Sequence, residues 1–124
     1  MLAVSQHLGM TSDAVPGIAT PFGGGIGRSG SVCGAVVGGL MALGLKFGRT
    51  QPQESTASAY TRAQELYRRF RQEMGSAICY ELTGFDLTTP DGYRQFRASD
   101  VPTRVCRRAV TTATRLAAEL GQDL

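Results

Sequence analysis

A glycine-dense segment that runs directly into an apolar stretch constrains this chain more than any other feature. Residues 22–33 read FGGGIGRSGSVC, and the mainly apolar residues 34–45 follow at once. Glycine allows positive φ and lets other groups approach the backbone closely. The first turn of a helix presents unpaired N–H groups and a positive dipole end, which favour an anion or a thiolate. The pattern therefore predicts a glycine-rich loop before a central helix, with Cys33 in or near the first turn as the strongest candidate for chemistry.

The apolar stretch predicts a buried helix that begins at a cap formed by Ser29 or Ser31 and ends near Lys46. Its residues are apolar on all sides, as expected of a helix inside a core. Interior glycines weaken a helix by about 1 kcal/mol each relative to alanine. We therefore expect close packing against neighbouring helices to stabilise it.

Helical patterns recur through the rest of the chain, and no segment shows the alternation of a strand. Two short helices are predicted before the glycine loop: one ends before Gly9, and one runs from a cap at residue 11 or 12 to Pro21. After the central helix, helices are predicted over 54–74 and 76–83. Another follows Thr89 with Pro90 in first position, and the last begins near Pro102 with a cap at Asp100 or a neighbour. The expected fold is all-α, a single-domain irregular bundle of four to six helices over residues 1–124. We expect its N-terminal helix to be truncated.

Composition argues against two classes of partner. The net charge is only +3 and the basic residues are interleaved with acids, whereas nucleic-acid binders concentrate basic residues on one face. The longest apolar run is shorter than the roughly 20 residues that cross a bilayer. No secretory signal is visible. We therefore expect no nucleic acid, no membrane and a cytoplasmic location.

The strongest candidates for chemistry are three widely spaced cysteines, Cys33, Cys79 and Cys106. An odd number without an export signal argues against a structural disulfide framework. No Cys-x-x-Cys pair exists and the one histidine, His7, is distant, so the spacing of a zinc finger is absent. Each cysteine lies on or beside an apolar helical face. We hypothesise that at least two of the three sulfurs come close enough to exchange a disulfide or share a soft metal.

Each cysteine also has a purely structural interpretation, since free cysteine is among the most buried residue types. For Cys33, the helix start and Arg28 favour a thiolate. Cys79, between two glycine breaks, fits packing better than chemistry. Cys106 lies on the inner stripe of the last helix, but the flanking arginines at 104, 107 and 108 would make any exposed edge electropositive.

The glycine loop has an anion-binding interpretation as well. Residues 25–30 match the dinucleotide pattern G-x-G-x-x-G, but no strand is predicted before it and the expected acid about 20 residues later is missing. A smaller anion or cofactor held by loop N–H groups and an arginine is the remaining possibility. Its candidate residues are Gly24, Gly25, Gly27 and Arg28.

Several motifs together resemble one family. They are FGGGIGR at 22–28, VCGAVVG at 32–38, GLKFGRT at 44–50, CYELTGFDLTTP at 79–90 and VC at 105–106. This order is similar to the bacterial and archaeal Cys–GCAxxG–Cys–Cys family of redox-active proteins. The resemblance implies a small helical protein with thiol redox or metal chemistry. The chain has Cys-Gly-Ala where the family label has Gly-Cys-Ala, and the family's first cysteine would fall upstream of Met1.

The leading expectation is a small cysteine-dependent redox-active or metal-binding protein. Cys33 would be the most activated sulfur, with Cys79 and Cys106 as resolving or metal-ligating partners, and a thiolate-bound metal or Fe–S cluster is the cofactor that the resemblance implies. Two alternatives stay open: a structural or interaction module with inert cysteines, and an anion- or cofactor-binding helper built around the loop 23–30. A redox partner protein and a homo-oligomer are expected.

Overall fold

The computed structural model describes residues 1–122 and is helical throughout. Its α-helical segments are α1 (Leu2–His7), α2 (Gly23–Ile26), α3 (Gly34–Phe47), α4 (Ala57–Met74), α5 (Cys79–Thr83), α6 (Pro90–Ala98) and α7 (Arg107–Leu120). A 3₁₀ segment, Gly17–Phe22, precedes α2, and a π-helical turn, Pro102–Cys106, leads into α7. The predicted all-α bundle is confirmed, and the glycine loop adds one short segment, α2, to the helices expected. Within the described residues, no helix has the length and apolar character needed to cross a membrane.

The core lies where α3, α4 and α7 pack against one another. Its largest fully buried side chains include Leu43 from α3, Leu66 and Phe70 from α4, and Leu116 from α7. Burying a side chain of this size stabilises the fold by about 1.5–3 kcal/mol. Helix α1 adds Val4 to the same cluster. This three-helix centre holds the N-terminal ends of α3 and α7 in fixed positions.

Glycines in α3 permit the close packing that the sequence predicts. A Cβ atom on Gly39 would lie 3.2 Å from Leu66 Cδ2 and 3.4 Å from Ala117 Cβ. Larger residues would push α4 and α7 away from α3. The close approach of three helices therefore offsets the low helix propensity of these glycines.

The start of α3 differs from the prediction, because residues 31–33 are held in an extended pairing. Val32 forms an isolated antiparallel bridge with Ile78. The Cys33 N–H donates to the Ala77 carbonyl at 2.7 Å, and the Cys79 N–H donates to the Ser31 carbonyl at 2.7 Å. Helix α3 therefore begins at Gly34 with Cys33 as its N-cap residue, and the predicted caps at Ser29 or Ser31 are wrong. The same pairing delays α5 until Cys79, three residues after the predicted start.

Other helix ends follow local chemistry. The Thr89 hydroxyl accepts a hydrogen bond from the Gly92 N–H at 3.0 Å, with Pro90 in the first turn, as predicted. Gly84 ends α5 with a φ of +74°. The prediction for residues 11–21 was wrong, since this region holds turns and a 3₁₀ segment that contains Pro21. The last helical run begins at Val101, whose N–H donates to the hydroxyl of the neighbouring Ser99 at 3.2 Å, while the Asp100 side chain pairs with Arg104.

Candidate functional site: a cavity lined by three thiols

A cavity of about 900 Å³ opens beside the glycine loop, between α3, α5, α6 and the π turn. Its size is that of small-molecule sites in proteins. Cys33, Cys79 and Cys106 all line it, although they come from three separate parts of the chain. Apolar and aromatic side chains form much of the remaining wall: Val4, Leu82, Leu87, Tyr93, Phe96, Val105 and Val110. The three cysteines therefore share one cavity, and the approach of two sulfurs to within disulfide or shared-metal range stays a prediction.

The loop beside the cavity has an unusual backbone. Residues 24–28 are five consecutive residues with φ between +56° and +68°. Two of them, Ile26 and Arg28, are not glycine, and a left-handed conformation costs such residues about 1–2 kcal/mol each. Strain of this kind is concentrated at functional sites, where surrounding contacts enforce it. The loop is therefore a shaped wall of the cavity.

Hydrogen bonds within the loop enforce its shape. The backbone N–H of Arg28 donates to the Gly23 carbonyl at 3.1 Å, and the backbone N–H of Gly30 donates to the Gly24 carbonyl at 3.2 Å. The Ser31 N–H donates to the Gly25 carbonyl at 3.0 Å. These amides are engaged within the loop, so an anion in the cavity meets the Arg28 side chain instead of them. Gly24, Gly25, Gly27 and Arg28 all line the cavity, and ligand binding by them stays a prediction.

Contact between the loop and Cys79 is tight. A Cβ atom on Gly25 would lie 2.6 Å from Cys79 Cβ and 2.7 Å from the Ser31 backbone nitrogen. Only glycine fits there, both for its positive φ and for this lack of space. The loop therefore fixes the position of the Cys79 side chain at the cavity wall.

The antiparallel pairing places Cys33 and Cys79 on the same side. Side chains alternate along an extended segment, so those of Cys33 and Cys79 face away from the side taken by Val32 and Ile78. Both side chains line the cavity. The bridge, invisible to helical pattern analysis, places both side chains on the face that lines the cavity.

Cys106 ends the π turn and is the N-cap residue of α7. A π turn carries more residues per turn than an α-helix and is frequent at functional sites. Cys106 and Val105 line the cavity together, while Ala109 and Ala113 of α7 lie in the core. The inner stripe predicted for the last helix is buried at Ala109, Ala113 and Leu116. Cys106 is half-buried at the cavity end of that stripe.

Protonation distinguishes the three thiols, which are all free. Burial, followed by negative charge on Cys33 and on Cys106, raises the pKa of Cys79 to about 11. Burial, and then charge on Cys33, also raises the pKa of Cys106. Negative charge on one sulfur therefore disfavours ionisation of a neighbouring one. Cys79 and Cys106 are therefore held as neutral thiols at neutral pH.

Positive charge reaches the cavity from Arg28, not from the arginines near Cys106. Arg104 pairs with Asp100, and Arg108 donates to the Glu73 carbonyl at 3.2 Å. Neither side chain lines the cavity. Arg107, the third arginine of the predicted electropositive edge around Cys106, does not line the cavity either.

Tyr93 and Phe96 are site residues that sequence reasoning missed. The Arg28 guanidinium carbon lies 3.8 Å from the centre of the Tyr93 ring, and Arg28 Nη2 donates to the Tyr93 hydroxyl at 3.0 Å. Phe96 stands beside Tyr93 and packs edge-on against Phe85, with ring centroids 6.1 Å apart. The sequence signal was limited to aromatic spacing on α6, which also fits a core face. Contact with Arg28 depends on the fold.

A metal site was also tested against the side chains present. Across residues 1–122, no three His, Cys, Asp or Glu side chains are grouped so that they could hold a metal ion. Common Fe–S clusters take four protein ligands, usually cysteines, whereas the chain has three cysteines. Metal binding by Cys33, Cys79 and Cys106 stays a prediction, and the chemistry proposed below uses none.

Comparison with known families gives a match over almost the whole chain. The model of the family described as "Putative redox-active protein (C_GCAxxG_C_C)" matches residues 1–120. The match covers the loop, all three cysteines and the helices that position them. No curated protein and no solved structure matches the chain.

Proposed function

This chain belongs to the C_GCAxxG_C_C family, and we propose that it is a thiol-dependent redox protein that exchanges disulfides through Cys33. One observation carries the proposal: three thiols from distant parts of the chain line a single cavity. Thiols that serve only packing need not share an open space with one another. The strained glycine loop around the same cavity supports a site shaped for chemistry.

Cys33 is the proposed nucleophile. It is half-buried, so a reactant can reach it. It lies at the N-terminus of α3, whose dipole stabilises negative charge there. Charge on Cys33 is also a cause of the raised pKa values of Cys79 and Cys106, so a thiolate on Cys33 suppresses the formation of the other two.

The proposed reaction has two exchange steps. The Cys33 thiolate attacks one sulfur of an external disulfide, forming a mixed disulfide and releasing the other sulfur as a thiolate. Cys79 or Cys106 then loses its proton and attacks Cys33 Sγ, which forms an internal disulfide and releases the second external thiol. The protein gives up two electrons and two protons, and the external disulfide is reduced to two thiols.

A redox titration tests this proposal. Reduced protein would be equilibrated without oxygen in mixtures of reduced and oxidised glutathione, then blocked, counted for free thiols and mapped by mass spectrometry. We expect two thiols per chain to disappear reversibly, with Cys33 in the bridge and one thiol left over. Comparing the Cys79→Ser and Cys106→Ser variants identifies the resolving cysteine, because only the unneeded one can be replaced without loss of the bridge.

The inert-cysteine alternative gives a different result. It rests on Cys79, which is only 8% exposed and packs against Gly25. If all three cysteines serve packing alone, no internal disulfide forms at any glutathione ratio. Cys33→Ser would then change stability but no redox transition. Loss of the bridge in Cys33→Ser, with its retention in one of the other two variants, would reject this alternative.

A further inference from the structure

We infer that the cavity binds a small amphipathic organic anion, with its apolar body among the cavity walls and its acidic group at Arg28. The inference rests on the proposed function in one respect: such a molecule would be the class of substrate or oxidant presented to Cys33. Binding itself needs no thiol chemistry. The two ideas can therefore be tested separately.

Charge in the cavity wall is one-sided. Arg28 is the one Arg or Lys among the described residues of the wall, and no Asp or Glu contributes to it. No carboxylate of residues 1–122 forms an ion pair with Arg28, whereas seven ion pairs involve other arginines, among them Arg69, Arg104 and Arg115. A ligand cation would meet no carboxylate in the wall. A ligand anion would meet the guanidinium.

The guanidinium is held ready for a ligand. It lies over the Tyr93 ring and donates one N–H group to the Tyr93 hydroxyl. An arginine carries five N–H donors in a planar fork, which pairs with carboxylate, sulfonate or phosphate oxygens. The stem is fixed as well, since a Cβ atom on Gly24 would lie 2.9 Å from Arg28 Cγ. The side chain therefore loses little freedom on binding.

The walls require an apolar body. Leu87 is almost fully buried behind the loop, and Phe96 forms part of an aromatic cluster with Phe85 and Tyr93. Inorganic anions would leave these surfaces exposed to water. A ring or short aliphatic chain would cover them while its acidic group reaches Arg28. The combination selects organic acids over both free phosphate and neutral hydrocarbons.

The test compares three probes of one shape: 2-naphthoate, 2-naphthylmethanol and 2-naphthylmethylamine. Each is titrated into reduced full-length protein and followed by NMR. We expect the acid to bind at least tenfold more tightly than the alcohol and the amine to bind most weakly, with shifts in the amides of Gly24, Gly25 and Cys79. Equal or tighter binding of the alcohol, or shifts confined to other regions, would overturn the inference.

Two variants assign the selectivity to Arg28. Arg28→Ala should weaken naphthoate binding about tenfold and abolish the preference for the acid, while Arg28→Lys should restore part of it. Arg97→Ala is the matched control, because Arg97 is exposed on α6 and does not line the cavity. It removes the same charge and should leave binding within twofold.

Running the two measurements separately on the wild-type protein distinguishes the two proposals. Naphthoate selectivity is measured on fully reduced protein, which holds no disulfide, and the glutathione titration is run without naphthoate. If acid selectivity is absent while the glutathione titration succeeds, the inference fails alone. If the bridge is absent while selectivity is present, the proposed function fails alone. Unchanged acid preference in Arg28→Ala would show that the inference is wrong whatever the redox result.

Discussion

Individual residues give this site its asymmetry. Cys79 is enclosed by the loop and by its backbone hydrogen bond to the Ser31 carbonyl, whereas Cys33 and Cys106 keep part of their surface exposed. Enclosure disfavours a buried thiolate, and charge on a neighbouring sulfur adds to this cost. The result is two partly exposed thiols beside a buried one whose pKa is raised.

The raised pKa of Cys79 makes stability depend on pH. The folded thiol keeps its proton up to about pH 11, whereas the unfolded thiol releases it near pH 9. The folded state therefore holds more protons between these values, and its stability falls as pH rises through that window. The contribution is about 3 kcal/mol, fully present below pH 9 and lost by about pH 11. Urea denaturation across pH 8–11 should show a smaller decline for Cys79→Ala than for the wild type, and equal declines would contradict the assignment.

Gly25 is the loop position that tolerates substitution least. In Gly25→Ala the new methyl group would meet Cys79 Cβ and the Ser31 nitrogen at a φ of +68°. We expect a loss of about 2–4 kcal/mol, from overpacking and an unfavourable backbone conformation together. Gly23→Ala is the control, since Gly23 has nothing within 4 Å and an ordinary φ of −61°. Denaturation midpoints should separate the two variants, and equal midpoints would show that the loop does not press on Cys79.

Sequence reasoning identified these residues but not their environments. Residue type and the adjacent glycines were enough to select Cys33 and the loop. The burial of Cys79 and the contact of Arg28 with Tyr93 were not predictable, because each depends on segments far apart in the chain. Spacing describes the surroundings of a residue only along its own helix.

At the scale of elements, the bridge between residues 31–33 and 77–79 organises the site. It turns two predicted helix starts into extended segments and aligns two cysteines across them. A single bridge has no strand pattern to detect, so sequence analysis extended both helices too far. Helix ends that depend on their own residues, such as Thr89-Pro90 before α6, were predicted correctly.

The Thr89 cap tests the element that carries Tyr93. Thr89→Ala removes the side-chain oxygen that accepts the Gly92 N–H, and we expect a loss of about 1 kcal/mol. Thr61→Ala provides a matched change at an exposed interior position of α4, where alanine should be neutral or slightly stabilising. Urea denaturation of both variants measures the difference. A cap variant as stable as the wild type would mean that α6 does not need this hydrogen bond.

At the scale of the whole molecule, a three-helix centre supports a reactive edge. Buried residues of α3, α4 and α7 form the continuous core, and the N-terminal ends of α3 and α7 carry Cys33 and Cys106 to the cavity. The all-α fold followed from helical periodicity and apolar patterning. The gathering of three sulfurs was a hypothesis from their common placement, since pattern analysis contains no information about which helix ends meet.

Site-resolved alkylation tests the central claim, that the accessible Cys33 lies beside two thiols whose raised pKa values keep them protonated at a shared cavity. Reduced protein would react with iodoacetamide at pH 7, and mass spectrometry would follow each cysteine, with urea-denatured protein as the control. We expect Cys33 to react at least tenfold faster than Cys79 or Cys106 in the folded protein, and all three to react alike when unfolded. If Cys79 reacts as fast as Cys33 in the folded protein, the account of this site is wrong.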